Sequence, residues 1–448
     1  MRPAEMAALL GSPLQILMVW VIGGVLTLFV AMVNAEVGAM LPETGGQYYF
    51  MQKMYGSFWA YLYGWANFAV INTAGTAGIA FICSQYLEYF FKLPRFTSLT
   101  EHSIHLHVPY IGDILPLENF GVKVLTILLL IILTIISYRS TKSGGKLQVV
   151  FTAAKVLAIV ILVGGLLFSH TGSLHNLIND SALIKPTGFA LMAALVAASN
   201  GALQAYDGWG NMINIAGEIR DPQKNIPRSL FIGLFACIAI YMLISTAMLY
   251  LLPIDEMASS SLVASDAATK AFGSIGGGII AFLICLSVLG VTNASILAPP
   301  RMTYAMAREG KFFAFAGQVH PRFNTPGNAM LLHLAWMILM VFSGSFYILA
   351  DMYIFVTWLF NLLLVTGVFV LRKKMPDAER PYRVWGYPYV PVIALLCTAF
   401  YLIMTLYSDI DAYRAGRTHI INSLFGLALT AAGIPFYVYF KRRYRERG

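Results

Sequence analysis

GFALMAALVAASNGALQAYDGWGNMINIA, residues 188–216, sets the terms for reading the rest of the chain. It stays apolar over the roughly 17 to 25 residues that a helix needs to cross a bilayer, and then violates its own pattern. Between Ser199 and Asn211 it places glycine at 201, 208 and 210 and a carboxylate at Asp207. Glycine in a helix interior is less favourable than alanine by about 1 kcal/mol, and a carboxylate inside a membrane costs about 3 kcal/mol. Residues this unfavourable predict a break, with the freed N–H and C=O groups lining a cavity instead of facing lipid. Broken helices of this type hold small solutes and ions near the bilayer midplane. The competing reading is a kinked but packed helix in which Asp207 finds a partner inside the protein.

The surrounding composition agrees with a membrane setting. The 448 residues are 58% hydrophobic and 11% charged, with a mean hydropathy of +0.70, against about 25% charged in soluble domains. Eleven apolar runs have the length of a span: 14–39, 57–91, 120–138, 148–168, 188–216, 229–252, 276–305, 328–344, 347–371, 388–407 and 420–440. None alternates with a period of two, so the expected class is an all-α integral membrane protein with 11 transmembrane helices. No linker or soluble insertion divides the chain, which reads as a single membrane domain over 1–448.

The net charge of +9 raises nucleic acid as a partner, and the placement of the charge removes it. Of the 30 Lys and Arg, 21 fall in alternate connections, eight in the other set, and Lys155 within a span. Basic connections stay in the cytoplasm. The C-terminus, with its basic tail at 441–448, is therefore expected inside, and the first residue as written outside. No signal peptide is visible, because the first apolar run is too long for one. Cys83, Cys237, Cys285 and Cys397 all fall inside apolar runs, which excludes a disulfide framework and suits small core residues.

Several polar residues stand where lipid or core is expected. Lys155 lies eight positions into the fourth run; it either snorkels to the interface or supplies a fixed or titrating charge in the core. Glu36 closes the first run and precedes Leu41-Pro42-Glu43-Thr44-Gly45-Gly46-Gln47, where proline and paired glycine stop the helix. That segment reads as a structural loop or as an inner gate. Gly75, Thr76, Gly78 and Gly290 allow close helix approach. Asn214, Ser287 and Asn293 are polar at depth and are candidates to support a ligand from behind the first shell of contacts. His102, His105 and His107 form a possible metal cluster, but the segment 92–119 has no cysteine and few carboxylates, so solvated histidines account for them better. No HExxH, GxSxG or clustered intramembrane histidine points to an enzyme, and no cofactor or metal is expected.

Taken together, the motifs resemble the amino acid, polyamine and organocation (APC) transporters, most of all their L-type amino acid transporter branch. The resemblance rests on AE followed by PETGGQYYF within 35–50, YGW at 63–65, GKLQVVFTAAKV at 145–156, AYDGW at 205–209 and EIRDPQKNIPRS at 218–229. It continues through NASILAPPRMTYAMAREGKF at 293–312, NTP at 324–326 and ERPYRV at 379–384. It implies a LeuT-type bundle of two inverted five-helix repeats and two trailing helices, here 14–168 as the remainder of the first repeat, 188–371 and 388–440. It also implies substrate contacts at Gln204, Ala205, Tyr206, Asp207, Gly208 and Trp209. Lys155 then matches the lysine that stands where sodium sits in sodium-driven relatives of the fold.

On this resemblance the expected activity is sodium-independent exchange of small or medium neutral amino acids in the inner or plasma membrane. Proton-coupled amino acid or polyamine uptake is the alternative, and a non-transporting membrane remnant or scaffold is another. Expected partners are amino acid substrates and membrane lipids, with the protein acting as a monomer or weak homo-oligomer. Three features depart from the family pattern. The aromatic gate residue two positions before Tyr206 is Gln204. No cysteine in 92–119 is available for the covalent heavy chain of animal members. The glycine-rich first helix that usually precedes a segment like Pro3-Ala4-Glu5-Met6-Ala7 is missing, so eleven spans stand where the family plan has twelve. A misassigned start or a truncated gene is the expectation, and a chain made as written would lack half of its substrate site.

Overall fold

A computed structural model describes residues 2–41, 46–139, 153, 155–157, 159–166, 169, 171–182, 184–214, 219–323 and 325–445. Its helices, in chain order, are α1 Arg2–Leu10, α2 Pro13–Met40, α3 Gly46–Tyr55, α4 Ser57–Leu87, α5 Phe120–Arg139, α6 Lys155–Leu166 and α7 Gly188–Tyr206. They continue with α8 Gly210–Asn214, α9 Pro222–Leu251, α10 Val263–Leu297, α11 Pro299–Arg308, α12 Gly327–Ser343, α13 Phe346–Lys374, α14 Tyr389–Arg414, α15 Asn422–Ala431 and α16 Gly433–Arg445. Helices fall on the apolar runs, of which 148–168 is described only in part. Among the described residues nine are long and apolar enough to cross a bilayer, and α6 and α12 are shorter. The protein is an all-α, multi-pass membrane protein.

The chain forms two compact units, Met1–Tyr63 with Leu162–Gly273 and Thr357–Ser408, and Gly64–Ile161 with Ser274–Val356 and Asp409–Gly448. In the first, α2 packs along α9 and α7, and α1 packs on α7. Glycines make the closeness possible: a Cβ on Gly24 would stand 2.5 Å from Ile238 Cγ1 and 3.0 Å from Tyr206 Cζ, and one on Gly23 would stand 3.1 Å from the Ala202 Cβ. Between helices, where lipid supplies no hydrophobic drive, such close packing is a main source of attraction.

In the second unit α5, α12 and the second half of α4 pack together. Here α4 carries a π-turn over Asn67–Ile71. The widened turn loosens carbonyls that other groups then satisfy: Thr73 Oγ1 donates to Phe68 O at 2.8 Å and Trp336 Nε1 to Ala69 O at 2.8 Å. Such bulges are built features where they occur. Cys83 on α4 and Cys285 on α10 are buried, each Sγ lying against the other residue's carbonyl. Cys237 on α9 is half-buried and Cys397 on α14 is exposed, so the expectation of small core residues holds for Cys83 and Cys285 and does not extend to these two.

The segment 92–119, read from sequence as an irregular loop, contains a small antiparallel hairpin of β1 Leu106–Val108 and β2 Gly112–Ile114. Its edge is fixed from afar, with Asp113 N–H donating to His419 O at 2.7 Å. His107 Nδ1 lies 2.8 Å from Asp113 Oδ1 on the surface. Among the described residues no group of three His, Cys, Asp or Glu could hold a metal ion.

Candidate functional site at the helix break

The helix that begins at Gly188 ends at Tyr206. Asp207 leaves it in an extended conformation with φ −68° and ψ 158°, Gly208 turns at φ +106°, and α8 restarts at Gly210. A φ in that range is open to glycine and strained for other residues. The break is stitched by few bonds. Asp207 N–H donates to Gln204 O at 3.2 Å and Asn211 N–H to Gly208 O at 3.1 Å. Asp207 and Gly208 are exposed, while Gln204, Ala205 and Trp209 are half-buried. Among the described residues Asp207 has no ion pair.

Three aromatic rings brace the last turn of α7. Tyr206 is buried and its Oη donates to Trp20 O on α2 at 3.0 Å; Tyr241 Oη, from α9, donates to Ala205 O at 2.8 Å. The rings of Trp20, Tyr206 and Tyr241 stand 5.2 to 6.0 Å apart, centre to centre, within the range of favourable edge-to-face contact. Tyr206 is thus a supporting member whose ring faces helices and whose hydroxyl is spent. At the same turn Gln204 Oε1 accepts from Arg2 Nε at 2.6 Å, and Arg2 Nη1 pairs with Glu5 Oε2 at 2.5 Å. Sequence reasoning did not single out Arg2. An Arg–Glu pair three residues apart at the start of a short apolar helix was the available signal.

Beyond the break, α8 rests on α2 and α3. Ile213 is buried against Gly38, and Gln47 lies beside Gly210 while accepting a hydrogen bond from Tyr63. The Pro42 to Gly45 portion of the segment read as a loop or gate lies outside the described residues, as do the side chain of Asn214 and much of 140–152. Lys155 opens the helix Lys155–Leu166 as a half-buried residue beside exposed Val156 and Leu157. Among the described residues neither a hydrogen bond nor an ion pair reaches it. Asn293 is buried and its Oδ1 accepts from Ser137 Oγ at 3.1 Å; Ser287 is half-buried.

Glu36 has a larger role than a helix end requires. Its buried carboxylate accepts Arg372 Nε at 2.9 Å and Nη2 at 2.7 Å, with Val384 N–H at 2.7 Å and Arg380 Nε at 3.8 Å. The Arg372 guanidinium also lies 3.5 Å from the Tyr387 ring centre. Arg380 in turn donates to the carbonyls of Met375, Pro376 and Ala378 that follow α13. Burial, and then the Glu36 carboxylate, push the Tyr382 phenol in the same loop above its ordinary value. The ERPYRV segment is therefore a strap holding the α13–α14 connection to the end of α2.

The amino acid permease family model matches residues 4–429. The serine/threonine exchanger SteT of Bacillus subtilis (strain 168) is 30% identical over 447 residues, covering 99% of this chain and 92% of that one. The large neutral amino acids transporter small subunit 2 of Mus musculus is 29% identical over 434 residues, covering 95% and 74%. The human cystine/glutamate transporter is 26% identical over 439 residues, covering 96% and 79%.

Proposed function

The chain belongs to the amino acid permease family, and from that premise we propose that it exchanges small or medium neutral amino acids across a membrane, without sodium, by alternating access. The observation that carries the reading is the break at 207–209, directly after the apolar, bilayer-length helix Gly188–Tyr206. A zwitterion brings a carboxylate in need of donors and an ammonium in need of acceptors. Backbone released from helical pairing offers both at once. The reading assigns the substrate contacts to Gln204, Ala205, Asp207, Gly208 and Trp209, with Tyr206 behind them.

The relatives support exchange as the mode. One is named a serine/threonine exchanger and another a cystine/glutamate transporter, so related chains carry side chains of different chemistry on a common plan. Lys155, if it holds a fixed positive charge in the core, makes bound sodium unnecessary and unfavourable there. The carrier works without a covalent heavy chain, since Cys83, Cys237, Cys285 and Cys397 all lie within helices, and it resides in the plasma or inner membrane.

The test is counterflow. Purified protein in liposomes preloaded with unlabelled alanine should take up labelled alanine faster than in empty liposomes, equally in sodium and choline buffers. Equal uptake by loaded and empty liposomes removes the exchange reading, and dependence on sodium removes the role given to Lys155. Uptake driven by an imposed pH gradient in empty liposomes marks the proton-coupled alternative.

A further inference from the structure

The strap that holds the α13–α14 connection to α2 gathers more charge than it uses. Residues 372–383 carry five basic side chains against two acidic ones, Asp377 and Glu379, and the structure divides the five. Arg372 and Arg380 turn onto Glu36, and Lys374 Nζ donates to Met54 O at 2.9 Å. Lys373 and Arg383 stay exposed, and among the described residues neither makes a hydrogen bond or an ion pair. Their backbones are nonetheless tied together. Lys373 follows Arg372 and Arg383 precedes Val384, and Arg372 Nη2 and the Val384 N–H both end on one atom, Glu36 Oε2, at 2.7 Å each. Two uncompensated cations, one in the last turn of α13 and one in the connection, are thereby fixed on neighbouring backbone.

The rings beside them place this pair at a bilayer surface. Trp385 is 72% exposed and Tyr389 75%, whereas the Tyr387 ring is spent on the Arg372 guanidinium. Exposed Trp and Tyr at the end of a span sit at headgroup level. Helix length agrees. The 29 residues of α13 extend about 43 Å against a hydrocarbon core of about 30 Å, so its basic last turn reaches the headgroup layer. A phosphodiester supplies what the two cations lack: Arg383 can take two of its oxygens through the planar fork of the guanidinium, and Lys373 adds a point charge. A zwitterionic lipid brings a cation of its own, so a basic pair without a counter-ion favours a headgroup of net negative charge.

We propose that the strap is a headgroup site for an anionic phospholipid, with Lys373 and Arg383 on the phosphate and Trp385 and Tyr389 seated beside it, and that bound lipid stabilises the folded protein through the strap. Free phosphate shares the charge but lacks the acyl chains that keep a headgroup at these rings, so the lipid is the occupant.

The experiment follows the melting temperature of the purified full chain in nonionic detergent as phosphatidylglycerol, or phosphatidylcholine with the same acyl chains, is added. A ligand bound by the folded state alone raises that temperature, so phosphatidylglycerol should raise it by several degrees and phosphatidylcholine should not. Each basic residue near an anionic headgroup contributes about fivefold to binding. Lys373→Gln combined with Arg383→Gln should therefore move the phosphatidylglycerol midpoint up by about 25-fold, while Lys441→Gln with Arg443→Gln on α16 should titrate as the wild type does. Native mass spectrometry counts lipids on the folded species of each variant, so a change in intrinsic stability does not obscure the comparison. Equal midpoints for the two lipids, an unmoved midpoint in the Lys373 and Arg383 variant, or the same loss in the α16 control overturns the site. A rise of equal size with inorganic phosphate overturns lipid as its occupant.

Discussion

At the scale of single residues, the energetics concentrate in the few polar groups that the membrane region buries. Glu36 meets two N–H groups of Arg372 and the backbone N–H of Val384, at 3% side-chain exposure. Breaking a buried pair from one side leaves the other charge uncompensated, at a cost of about 3 to 5 kcal/mol. Glu36→Gln should therefore lower the melting temperature in detergent markedly, and Arg372→Met added to it should recover part of the loss. A melting temperature equal to wild type for the single variant would show that the pair contributes nothing. A smaller effect is expected at Tyr241, whose hydroxyl bonds the Ala205 carbonyl. Tyr241→Phe removes one hydrogen bond, worth about 1 kcal/mol, and should weaken substrate affinity more than it slows maximal exchange, because the last turn of α7 is loosened and its composition is kept.

Helices and their junctions make up the next scale, and two glycines show different ways of failing. A Cβ on Gly208 would meet only Asn211 Nδ2, at an ordinary 4.0 Å, but the residue has a φ of +106°, so Gly208→Ala introduces strain without a clash, roughly 1 to 3 kcal/mol. It should depress exchange while the protein still purifies as a folded species; wild-type exchange rates in this variant would show that the turn tolerates a side chain. Gly24 is ordinary in conformation but crowded, 2.5 Å from Ile238 Cγ1 at its would-be Cβ. Gly24→Val should separate α2 from α9 and cost about 1 to 3 kcal/mol through overpacking, read as earlier thermal aggregation. Much at this scale was legible beforehand. Apolar length located the helices, and the cluster of Gly201, Asp207 and Gly208 located the break at the end of α7, because each is a local property with a local cost. The π-turn at Asn67–Ile71, the strap from Arg372 to Val384 and the hairpin at 106–114 were not legible. Each depends on a partner far along the chain, such as Trp336 for Ala69 O or His419 for Asp113, and a run of apolar residues contains no record of who will face whom. Arg2 was hidden for the same reason, since its meaning lies in Gln204, 202 positions away.

For the molecule as a whole, charge placement makes a statement that packing cannot. Helix packing is indifferent to which side of the membrane it faces, so orientation has to come from the flanks of the spans. The connections that hold Arg372, Lys373, Lys374, Arg380 and Arg383, and the tail from Lys441 to Arg447, belong to the basic set, and the positive-inside rule keeps such flanks in the cytoplasm. The segment 92–119, with Lys92 and Arg95 as its only basic residues before helix α5, belongs to the sparsely basic set, and we propose that it lies on the other face together with its hairpin. The proposed orientation would put the Glu36 strap, which ties the end of α2 to the α13–α14 connection, on the cytoplasmic side. Two reporters check it in a bacterial host. A fluorescent protein fused after Gly448 should fold and fluoresce, whereas alkaline phosphatase inserted at the tip of the 106–114 hairpin should be active, because each reporter matures on one side of the membrane only. Phosphatase activity from the C-terminal position would reverse the orientation of the whole molecule and move the strap to the opposite gate.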